Sequence, residues 1–341
     1  MSRNSILVIG SSNTDMIVKV ARIPAPGETI LGGEFATASG GKGANQAVGA
    51  ARAGGSVTFI GRIGQDMFGD KALAGFIAEG INVDYVIRDP SSPSGVALIF
   101  VGKDGENSIG VAPGANGKLA PADVAKAAGV LREASVLVLQ LETPLETVEA
   151  AARMAAVAGV KVILNPAPAQ RLPDSLLQRL YLLTPNETEA RLLTGLAVDD
   201  EKGAARAADA LLARGVQNVI ITLGARGALV ASSDGKTLIR AHRAKVVDTT
   251  AAGDIFNGTL AVALAEGKSL SDAARFATAA AAISVTRFGA QTSAPRRKEI
   301  ERLLAAGKSR AGAPRKEENR RARAPRTTPP EEPEPAFTGP P

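Results

Sequence analysis

A run of small residues followed by an aspartate has the composition of an anion-binding turn. Ala251, Ala252 and Gly253 carry almost no side chain, so a ligand can approach their backbone closely. The surrounding pattern predicts the end of a strand at Val247–Asp248, then this turn, then a helix from Ile255 to about Ala265. The first N–H groups and the dipole of such a helix favour a bound anion.

Asp254 puts a negative charge beside this predicted anion site, which requires an explanation. A carboxylate in that position can accept a proton from a hydroxyl group that attacks a phosphoryl group. An aspartate at a helix start can also be an ordinary helix cap. These few residues allow both interpretations, so the choice depends on other parts of the chain.

A second glycine-rich segment also precedes a predicted helix. Ser39–Ala44 has the sequence SGGKGA, and the helix is predicted from Ala44 to Ala53. The glycines allow close backbone approach to a ligand, and Lys42 and Asn45 would lie at the start of the helix. A flexible turn with a solvated lysine is the alternative, but such a turn does not require this combination of residues.

Polar residues follow short apolar runs that are typical of buried parallel strands. The run Ser5–Gly10 leads into the polar segment Ser11–Asp15, and Glu142 likewise follows a predicted strand. Ligands of open α/β sheets bind at the carboxyl ends of the strands. Asn13, Asp15 and Glu142 are therefore candidates for holding a polyhydroxy ligand, although turn formation also explains Asn13 and Asp15.

The order of the predicted elements indicates an α/β fold with a doubly wound, mostly parallel sheet and helices on both faces. At least six units consist of a strand followed by a helix. Four more predicted strands interrupt this order and are expected to form a small separate sheet, a lid within about residues 16–35 and 94–112. These strands are Met16–Val20, Glu28–Phe35, Gly95–Val101 and Asn107–Val111.

The composition limits the compartment and the chemistry. The chain of 341 residues has no cysteine, which excludes disulfides and thiolate metal sites. His242 is its only histidine, which argues against a Ser-His-Asp hydrolase. Neither a signal-peptide pattern nor an apolar run near the ~20 residues of a membrane span is present. We therefore expect a cytoplasmic protein without membrane association.

Residues 308–341 differ from the rest of the chain in composition. They contain eight Lys and Arg against five Glu, which is half of the net charge of +6, and very few large apolar side chains. Such a segment is expected to be disordered. The prediction is one domain over residues 1–307, followed by a tail. The modest remaining charge gives no strong case for a nucleic-acid surface.

Several segments, in the same order along the chain, resemble the ribokinase-like carbohydrate kinase family. The resemblance covers about Ser5–Leu304. It is carried by the segments GGKGAN (40–45), NETE (186–189) and DTTAAGD (248–254). Further similar segments are GSSNTD (10–15), GVALIFV (95–101), QLE (140–142), NPAPA (165–169) and TLGARG (222–227).

The resemblance implies ATP-dependent phosphorylation of D-ribose at its 5-hydroxyl group. Asp254 would be the general base, and Ala251, Ala252 and Gly253 would form the anion hole for the transferring phosphoryl group. The implied sugar-binding residues are Asn13, Thr14, Asp15, Gly41, Lys42, Gly43, Ala44, Asn45 and Glu142, with Asp254. The implied ATP-binding residues are Asn186, Thr222, Leu223, Gly224, Ala225, Arg226, Gly227, Gly253, Asp254 and Thr278.

The resemblance also implies Mg²⁺ with ATP, K⁺ as a monovalent activator, and a homodimer formed through the lid. Asn186 and Glu189 would help to place Mg²⁺ indirectly, through water. The implied K⁺ ligands, several of them backbone carbonyls, are Asp248, Thr250, Ser284, Arg287, Gly289 and Ser293. Thr250 stands where an aliphatic residue is expected, but a backbone contact would tolerate that change.

Two other functions remain open. A related kinase of the same family, acting on another sugar or on a nucleoside, would use the same motifs. A nucleotide- or sugar-sensing protein with the basic tail as a docking arm belongs to a different class. The Gly253–Asp254 pair argues against a sensor, because a sensor needs no base.

Overall fold

The computed structural model describes residues 5–104 and 106–311. Its strands are β1 (Ser5–Ile9), β2 (Asn13–Lys19), β3 (Glu34–Gly40), β4 (Ser56–Gly64), β5 (Asn82–Asp89), β6 (Gly95–Val101), β7 (Asn107–Ala112), β8 (Val136–Leu139), β9 (Lys161–Leu164), β10 (Leu182–Leu183), β11 (Val219–Thr222), β12 (Ala228–Ser232) and β13 (Gly235–Ile239). Its helices are α1 (Lys42–Arg52), α2 (Met67–Ala78), α3 (Pro121–Lys126), α4 (Ala128–Glu133), α5 (Leu145–Val157), α6 (Asp174–Leu177), α7 (Glu187–Thr194), α8 (Glu201–Ala213), α9 (Ala252–Ala265), α10 (Leu270–Ser284) and α11 (Arg297–Ala311).

The large sheet has nine strands in the order β13-β12-β11-β10-β9-β8-β1-β4-β5. The pairs from β5 to β11 are parallel, and β12 and β13 are antiparallel at one edge. In β1, Leu7 and Ile9 belong to the apolar core on one face, and Ile6 and Val8 to the core on the other. Burial on both faces is typical of a parallel sheet covered by helices. The predicted doubly wound, mostly parallel α/β fold is confirmed.

The small sheet has the order β3-β2-β6-β7 and is separate from the large sheet, as predicted. The first two strands differ most from the prediction. The first strand begins at Asn13 rather than Met16, because Asn13–Lys19 pairs along its length with both β3 and β6. The second strand is Glu34–Gly40 rather than Glu28–Phe35. Positive φ angles at two glycines interrupt the extended backbone before Glu34, and the pairing with β2 continues to Gly40. Gly105, in the predicted β6–β7 turn, lies outside the described residues.

The predicted strand end at Val247–Asp248 is wrong, since no strand lies between Ile239 and helix α9. The N–H groups of Val247 and Asp248 both donate to the carbonyl oxygen of Val285, at 2.7 and 3.2 Å. These backbone groups therefore bond to the end of α10 instead of a neighbouring strand.

Helix α11 ends at Ala311, four residues into the segment 308–341 that is expected to be a disordered tail. Residues 312–341, which make up most of the predicted disordered tail, lie outside the described residues. Among the helices that the structure describes, none has the length and apolarity needed to cross a bilayer.

Helices α1 and α9 pack closely because glycines lie at their contact. A Cβ atom on Gly258 would lie 2.2 Å from the carbonyl oxygen of Gln46. A Cβ atom on Gly49 would lie 3.3 Å from Cδ1 of Ile255. This close packing fixes the distance between the N-terminal turns of the two helices.

The substitution Gly258→Ala should destabilise the fold by about 1–3 kcal/mol, because overpacking of a tight core contact forces the backbone to shift. Gly75→Ala is the matched control. Gly75 is exposed in helix α2, and a Cβ atom there would meet nothing within 4 Å. It should stabilise the protein by roughly 0.5–1 kcal/mol. Denaturant unfolding measures both values, and equal stability of the two variants would contradict the close packing.

Candidate active site

The candidate active site lies where the carboxyl ends of the central strands meet the first turns of α1 and α9. Helix α1 begins at Lys42, and Asp254 lies in the first turn of α9. Polar residues at or after the ends of neighbouring strands border the same place, as expected for an open α/β sheet. They are Glu142 after β8, Asn165 after β9, Thr184 after β10 and Thr222 at the end of β11.

Asp254 is only 6% exposed, and amide groups of α1 bind both of its carboxylate oxygens. Asn45 Nδ2 donates to Oδ2, and Gln46 Nε2 donates to Oδ1, each at 3.0 Å. Burial raises the pKa of Asp254 above that of an ordinary aspartate, whereas Lys42 and the two amide donors act in the opposite direction. A helix cap would not need two side-chain donors from another helix, so this environment favours a chemical role.

Gln46 connects Asp254 to further buried amides that we did not predict as site residues. Its Nε2 also donates to Oδ1 of Asn165 at 3.2 Å, and its Oε1 accepts from Nε2 of Gln140 at 2.8 Å. Asn165 Nδ2 donates to the carbonyl oxygen of Thr184 at 3.1 Å. In the sequence, these residues could be recognised only as amides that lie in or next to the motif segments.

The turn before Asp254 is strained. Ala251 has a φ of 58°, the only positive φ at a non-glycine residue in the described part of the chain. This conformation costs roughly 1–2 kcal/mol for an L-residue, and such strain is common at functional sites. The N–H of Ala252 donates to the carbonyl oxygen of Thr249 at 3.2 Å, whereas the N–H of Gly253 has no partner in this structure.

A cluster of charged groups surrounds Lys42 on the side of the small sheet. Burial lowers the pKa of Lys42, but the surrounding carboxylates, above all Asp254 and Glu142, raise it, and the net direction is upward. Burial and the same two carboxylates raise the pKa of Asp15 to about 6. Glu142 Oε2 accepts from the backbone N–H of Lys42 at 2.9 Å and from the hydroxyl of Ser11 at 2.5 Å.

The predicted sugar-binding residues Asn13, Thr14 and Asp15 lie in strand β2, not in a loop. Asn13 and Asp15 therefore face the same side of the small sheet. Gly41, with a φ of 89°, allows the chain to pass close to them, because a Cβ atom there would lie 2.7 Å from the backbone nitrogen of Asn13.

Asn116 orients Asn13 and was also missed in the sequence. Its Oδ1 accepts from the backbone N–H of Ser12 at 2.9 Å, and its Nδ2 donates to the carbonyl of Ser12 and to Oδ1 of Asn13. Because the backbone of Ser12 fixes the amide of Asn116, Asn13 must present its oxygen to Asn116. The NH₂ group of Asn13 is then the donor available to a ligand.

A cleft with a volume of about 890 Å³ adjoins a smaller cavity of about 190 Å³. Lys42, Glu189 and Asp254 border the smaller cavity. The residues that border both are Asn186, Thr222, Thr249, Ala252 and Gly253. The large cleft also contacts the predicted nucleotide-binding residues Gly224, Ala225, Gly227 and Thr278, together with His242, which the sequence did not implicate.

Leu223 and Arg226, two predicted ATP-binding residues, do not line the large cleft. Leu223 is buried in the core below it. The guanidinium group of Arg226 pairs with Glu187 and donates to the carbonyl oxygen of Asp199. Their contribution in this structure is to hold the loop after β11 in place.

Asn186 and Glu189 form a capping box at the start of α7. Glu189 accepts from the backbone N–H of Asn186 at 2.8 Å and from its Nδ2 at 2.9 Å. Burial raises the pKa of Glu189, while the bond from Asn186 and the charge of Lys42 lower it, and the net direction is upward. The smaller cavity thus brings one carboxylate of α7 close to Lys42 and Asp254.

Asp248 links the turn before α9 to the segment after α10. Its Oδ1 accepts from the N–H of Thr250 at 2.8 Å, and its Oδ2 accepts from the N–H of Gly289 at 2.9 Å. Burial raises the pKa of Asp248, but these hydrogen bonds lower it by more. Three of the six predicted K⁺ ligands, Asp248, Thr250 and Gly289, are therefore joined directly by hydrogen bonds.

The other three predicted K⁺ ligands lie on the neighbouring segment. The hydroxyls of Ser284 and Ser293 donate to nearby backbone carbonyls, and the Arg287 side chain pairs with Glu299. No group of three or more His, Cys, Asp or Glu side chains suited to a metal occurs in the described residues. A single carboxylate among neutral oxygens suits a monovalent cation better than a divalent one.

The chain is similar in sequence and structure to known sugar kinases. A model of the pfkB family of carbohydrate kinases matches residues 3–297. The ribokinase of Haemophilus influenzae is 46% identical over 302 residues, covering 89% of this chain and 99% of that protein. A deoxyribokinase of Salmonella typhi is 40% identical over 300 residues, covering 88% and 98%. The structure of Arabidopsis thaliana ribokinase complexed with ribose and ATP has a TM-score of 0.84 and 35% identity, covering 89% of this chain and 99% of that one.

These similarities extend over the whole region that carries the sequence motifs. They confirm the predicted ribokinase-like fold and the predicted carbohydrate kinase activity, which is nucleotide-dependent. They also set aside a sensor without activity, because the similar proteins are kinases. The chain belongs to the pfkB family of carbohydrate kinases.

Proposed function

We propose that this kinase transfers the γ-phosphoryl group of ATP to O5 of D-ribose and produces D-ribose 5-phosphate. The observation that carries the proposal is the position of Asp254. Its buried carboxylate borders the smaller cavity, which adjoins the large cleft, and interacts electrostatically with Asp15 of the small sheet. The similar structure of Arabidopsis thaliana ribokinase is complexed with ribose and ATP, which supports the same pair of substrates.

The sugar would lie between strand β2 and the first turn of α1. Asn13 would donate to one hydroxyl group and Asp15 would accept from another, since the two side chains share one face of the strand. Glu142, Lys42 and Asn45 would bind further hydroxyl groups. Thr14 and the backbone of residues 41–44 would complete the contact, in keeping with the close approach that the glycines allow.

Asp254 would act as general base. The O5–H proton moves to the carboxylate as the oxygen lone pair attacks the γ-phosphorus, and the bond to the ADP oxygen breaks. The amide donors and Lys42 stabilise the ionised carboxylate before the transfer. The Ala251–Gly253 turn would receive the phosphoryl oxygens. The N–H of Gly253 is open for this, and the N–H of Ala252 becomes available when it leaves the carbonyl of Thr249.

The nucleotide would occupy the large cleft, with its phosphates directed to the smaller cavity. Thr222, Gly224, Gly227 and Thr278 would contact it. Glu189 and Asn186 fit Mg²⁺ through bound water, because their side-chain oxygens already accept hydrogen bonds from N–H groups of the other residue and Mg²⁺ keeps several of its waters. When bound, Mg²⁺ would neutralise charge on the phosphates of ATP.

A K⁺ ion would fit between the Asp248 turn and the segment around Gly289. The carboxylate of Asp248 and the neighbouring carbonyl oxygens are the hard, weakly charged donors that such an ion requires. Bound there, the ion would stiffen the turn that leads to Ala251 without contact to either substrate. The support from this chain is the pair of hydrogen bonds that join the two segments through Asp248.

A second candidate is a kinase of the same family with a different acceptor. The deoxyribokinase at 40% identity favours this alternative, because few side chains separate such substrates. A coupled assay with ribose, deoxyribose, fructose and adenosine at equal concentrations decides between them. The highest kcat/KM with ribose is the expected result, and preference for another acceptor would replace ribose in the proposal.

We also propose a homodimer formed through the small sheet. Apolar side chains remain exposed on both of its faces, with Leu98 and Phe35 on one and Ile109 and Val111 on the face that carries Asp15. A four-stranded sheet with so much exposed apolar surface is typical of an interaction site. A second copy of the same sheet would cover it.

Asp254→Asn should retain the fold and ribose binding but lose most turnover, by about 10²–10⁴-fold, because an amide cannot accept the hydroxyl proton. The fold can tolerate the new NH₂ group, since Oδ1 of Asn45 is buried without a partner and can accept from it. Steady-state rates and calorimetric ribose binding measure the two effects. A variant with more than about a tenth of the wild-type rate would rule out the general base.

Replacing potassium by sodium should lower turnover of the wild type, because the smaller ion fits the carbonyl oxygens less well and leaves the turn less rigid. Asp248→Ala should remove this difference. Rates in matched potassium and sodium buffers provide the measurement, and melting temperature controls for loss of fold. Equal rates of the wild type in the two salts would contradict the cation site.

Ile109→Lys should convert the dimer into a monomer, because it places a charge on an apolar face that the partner must bury. Val157→Lys is the control, since Val157 is exposed on helix α5 of the main domain. Sedimentation analysis distinguishes the two. A wild type that is monomeric at all accessible concentrations, or an Ile109 variant that stays dimeric, would overturn this interface.

A further inference from the structure

A chain of buried amide groups connects the carboxylate of Asp254 to a backbone carbonyl. Asn165 Nδ2 donates to the carbonyl oxygen of Thr184 at 3.1 Å. Oδ1 of Asn165 accepts from Nε2 of Gln46 at 3.2 Å, and the same Nε2 donates to Oδ1 of Asp254 at 3.0 Å. Gln46 and its third partner, Gln140, are 0% and 1% exposed.

The backbone end of this chain determines the orientation of every amide in it. A carbonyl oxygen only accepts, so Asn165 must direct its NH₂ group to Thr184 and its oxygen to Gln46. Gln46 must then direct its NH₂ group to Asn165. Its remaining N–H points to Asp254, and its oxygen is free to accept from Gln140 at 2.8 Å. Oδ1 of Asp254 thus always faces a donor.

The other carboxylate oxygen has a partner of a different kind. Oδ2 accepts from Nδ2 of Asn45 at 3.0 Å, but Oδ1 of Asn45 is buried without any partner. The Asn45 amide is therefore not locked and can reverse. After reversal its Oδ1 would accept a hydrogen bond from a proton on Oδ2 of Asp254.

We propose that Gln46 is a positioning residue that holds Oδ1 of Asp254 unprotonated, so that Oδ2 is the atom that takes the proton of the acceptor hydroxyl. This inference rests on the proposed role of Asp254 as base. Gln46 acts through Asp254 and does not touch either substrate. The hydroxyl O–H bond breaks, the proton binds Oδ2, and the Asn45 amide reverses to accept from it.

Gln46 also lowers the pKa of the base, since its N–H binds Oδ1 more strongly when the carboxylate is ionised than when Oδ2 carries the proton. The other charged groups near Asp254 come from four elements and are unaffected by a change at Gln46. They are Lys42 of α1, Asp15 of β2, Glu142 after β8 and Glu189 of α7.

The test is the pH dependence of kcat in Gln46→Met, which keeps the volume and removes the donor. A hydrogen bond to an ionised group is roughly twice as strong as one to a neutral group, and loss of this difference corresponds to roughly one pH unit. Loss of the donor raises the pKa of Asp254. The acidic limb of the pH profile of kcat should therefore move to higher pH by this amount. Activity at neutral pH should fall and recover partly in alkaline buffer, while the dissociation constant for ribose stays unchanged.

Gln140→Met is the matched control, because Gln140 contacts Gln46 but not Asp254. The orientation of Gln46 is still fixed through Asn165, so this variant should keep the wild-type acidic limb. Asp15 also contributes to the acidic limb. Its contribution is the same in the wild type, Gln46→Met and Gln140→Met, so it does not affect the comparison. Gln46→Glu, an isosteric change that adds a second carboxyl group beside Asp254, should move the limb further and serves if the methionine variant fails to fold.

An unmoved limb in both Gln46 variants, or an equal movement in Gln140→Met, would overturn the inference. The Asp254→Asn variant separates this failure from failure of the proposed function. If that variant is inactive and the limb does not move, Asp254 is the base but Gln46 does not position it. If that variant is active, the role of Asp254 itself is wrong.

Discussion

The burial of one carboxylate, that of Asp254, is the constraint on which the rest of this site depends. Transfer of an unpaired charged carboxylate from water to a protein interior costs several kcal/mol or more. Here the cost is offset by the positive charge of Lys42 and by two amide donors, Asn45 and Gln46. All three belong to the first two turns of helix α1, so the charge on α9 is stabilised only while the two helices are in contact.

This requirement explains the small residues between α1 and α9. Because Gly258 has no Cβ atom, α9 can lie directly against the carbonyl oxygen of Gln46. The Cβ atom of any other residue type would clash with this oxygen. A larger separation would break both hydrogen bonds to Asp254 and leave a buried charge without partners. The glycine contact is thus a condition for the ionised base as well as for the packing of the core.

The same electrostatic balance extends to the small sheet. Asp15 lies on strand β2 and interacts with Glu142, Asp254 and Lys42. With Glu189, four carboxylates act on the one ammonium group of Lys42. Burial, and then repulsion by the carboxylates of Glu142 and Asp254, raise the pKa of Asp15 to about 6. A sugar that donates hydroxyl hydrogen bonds to these carboxylates would relieve part of their repulsion, so substrate binding and the position of the small sheet are expected to be coupled.

The sequence alone determined the fold class, the order of most elements and the edge of the sheet where the candidate site lies, because these depend on local patterns. Apolar runs of strand length, followed by polar residues and helix starts, predict a parallel sheet and the edge at which ligands bind. The glycine-rich turns around Lys42 and before Asp254 mark close backbone approach.

The tertiary structure decided the features that join distant segments. Gln46, Asn165 and Asn116 are ordinary amides in the sequence, and their roles depend on partners about a hundred residues away or more. The exception is the carbonyl oxygen of Thr184, which fixes the direction of Asn165 from 19 residues away. The strand predicted at Val247–Asp248 failed for the same reason, since strand formation requires a neighbouring strand and the chain there lies against the end of α10.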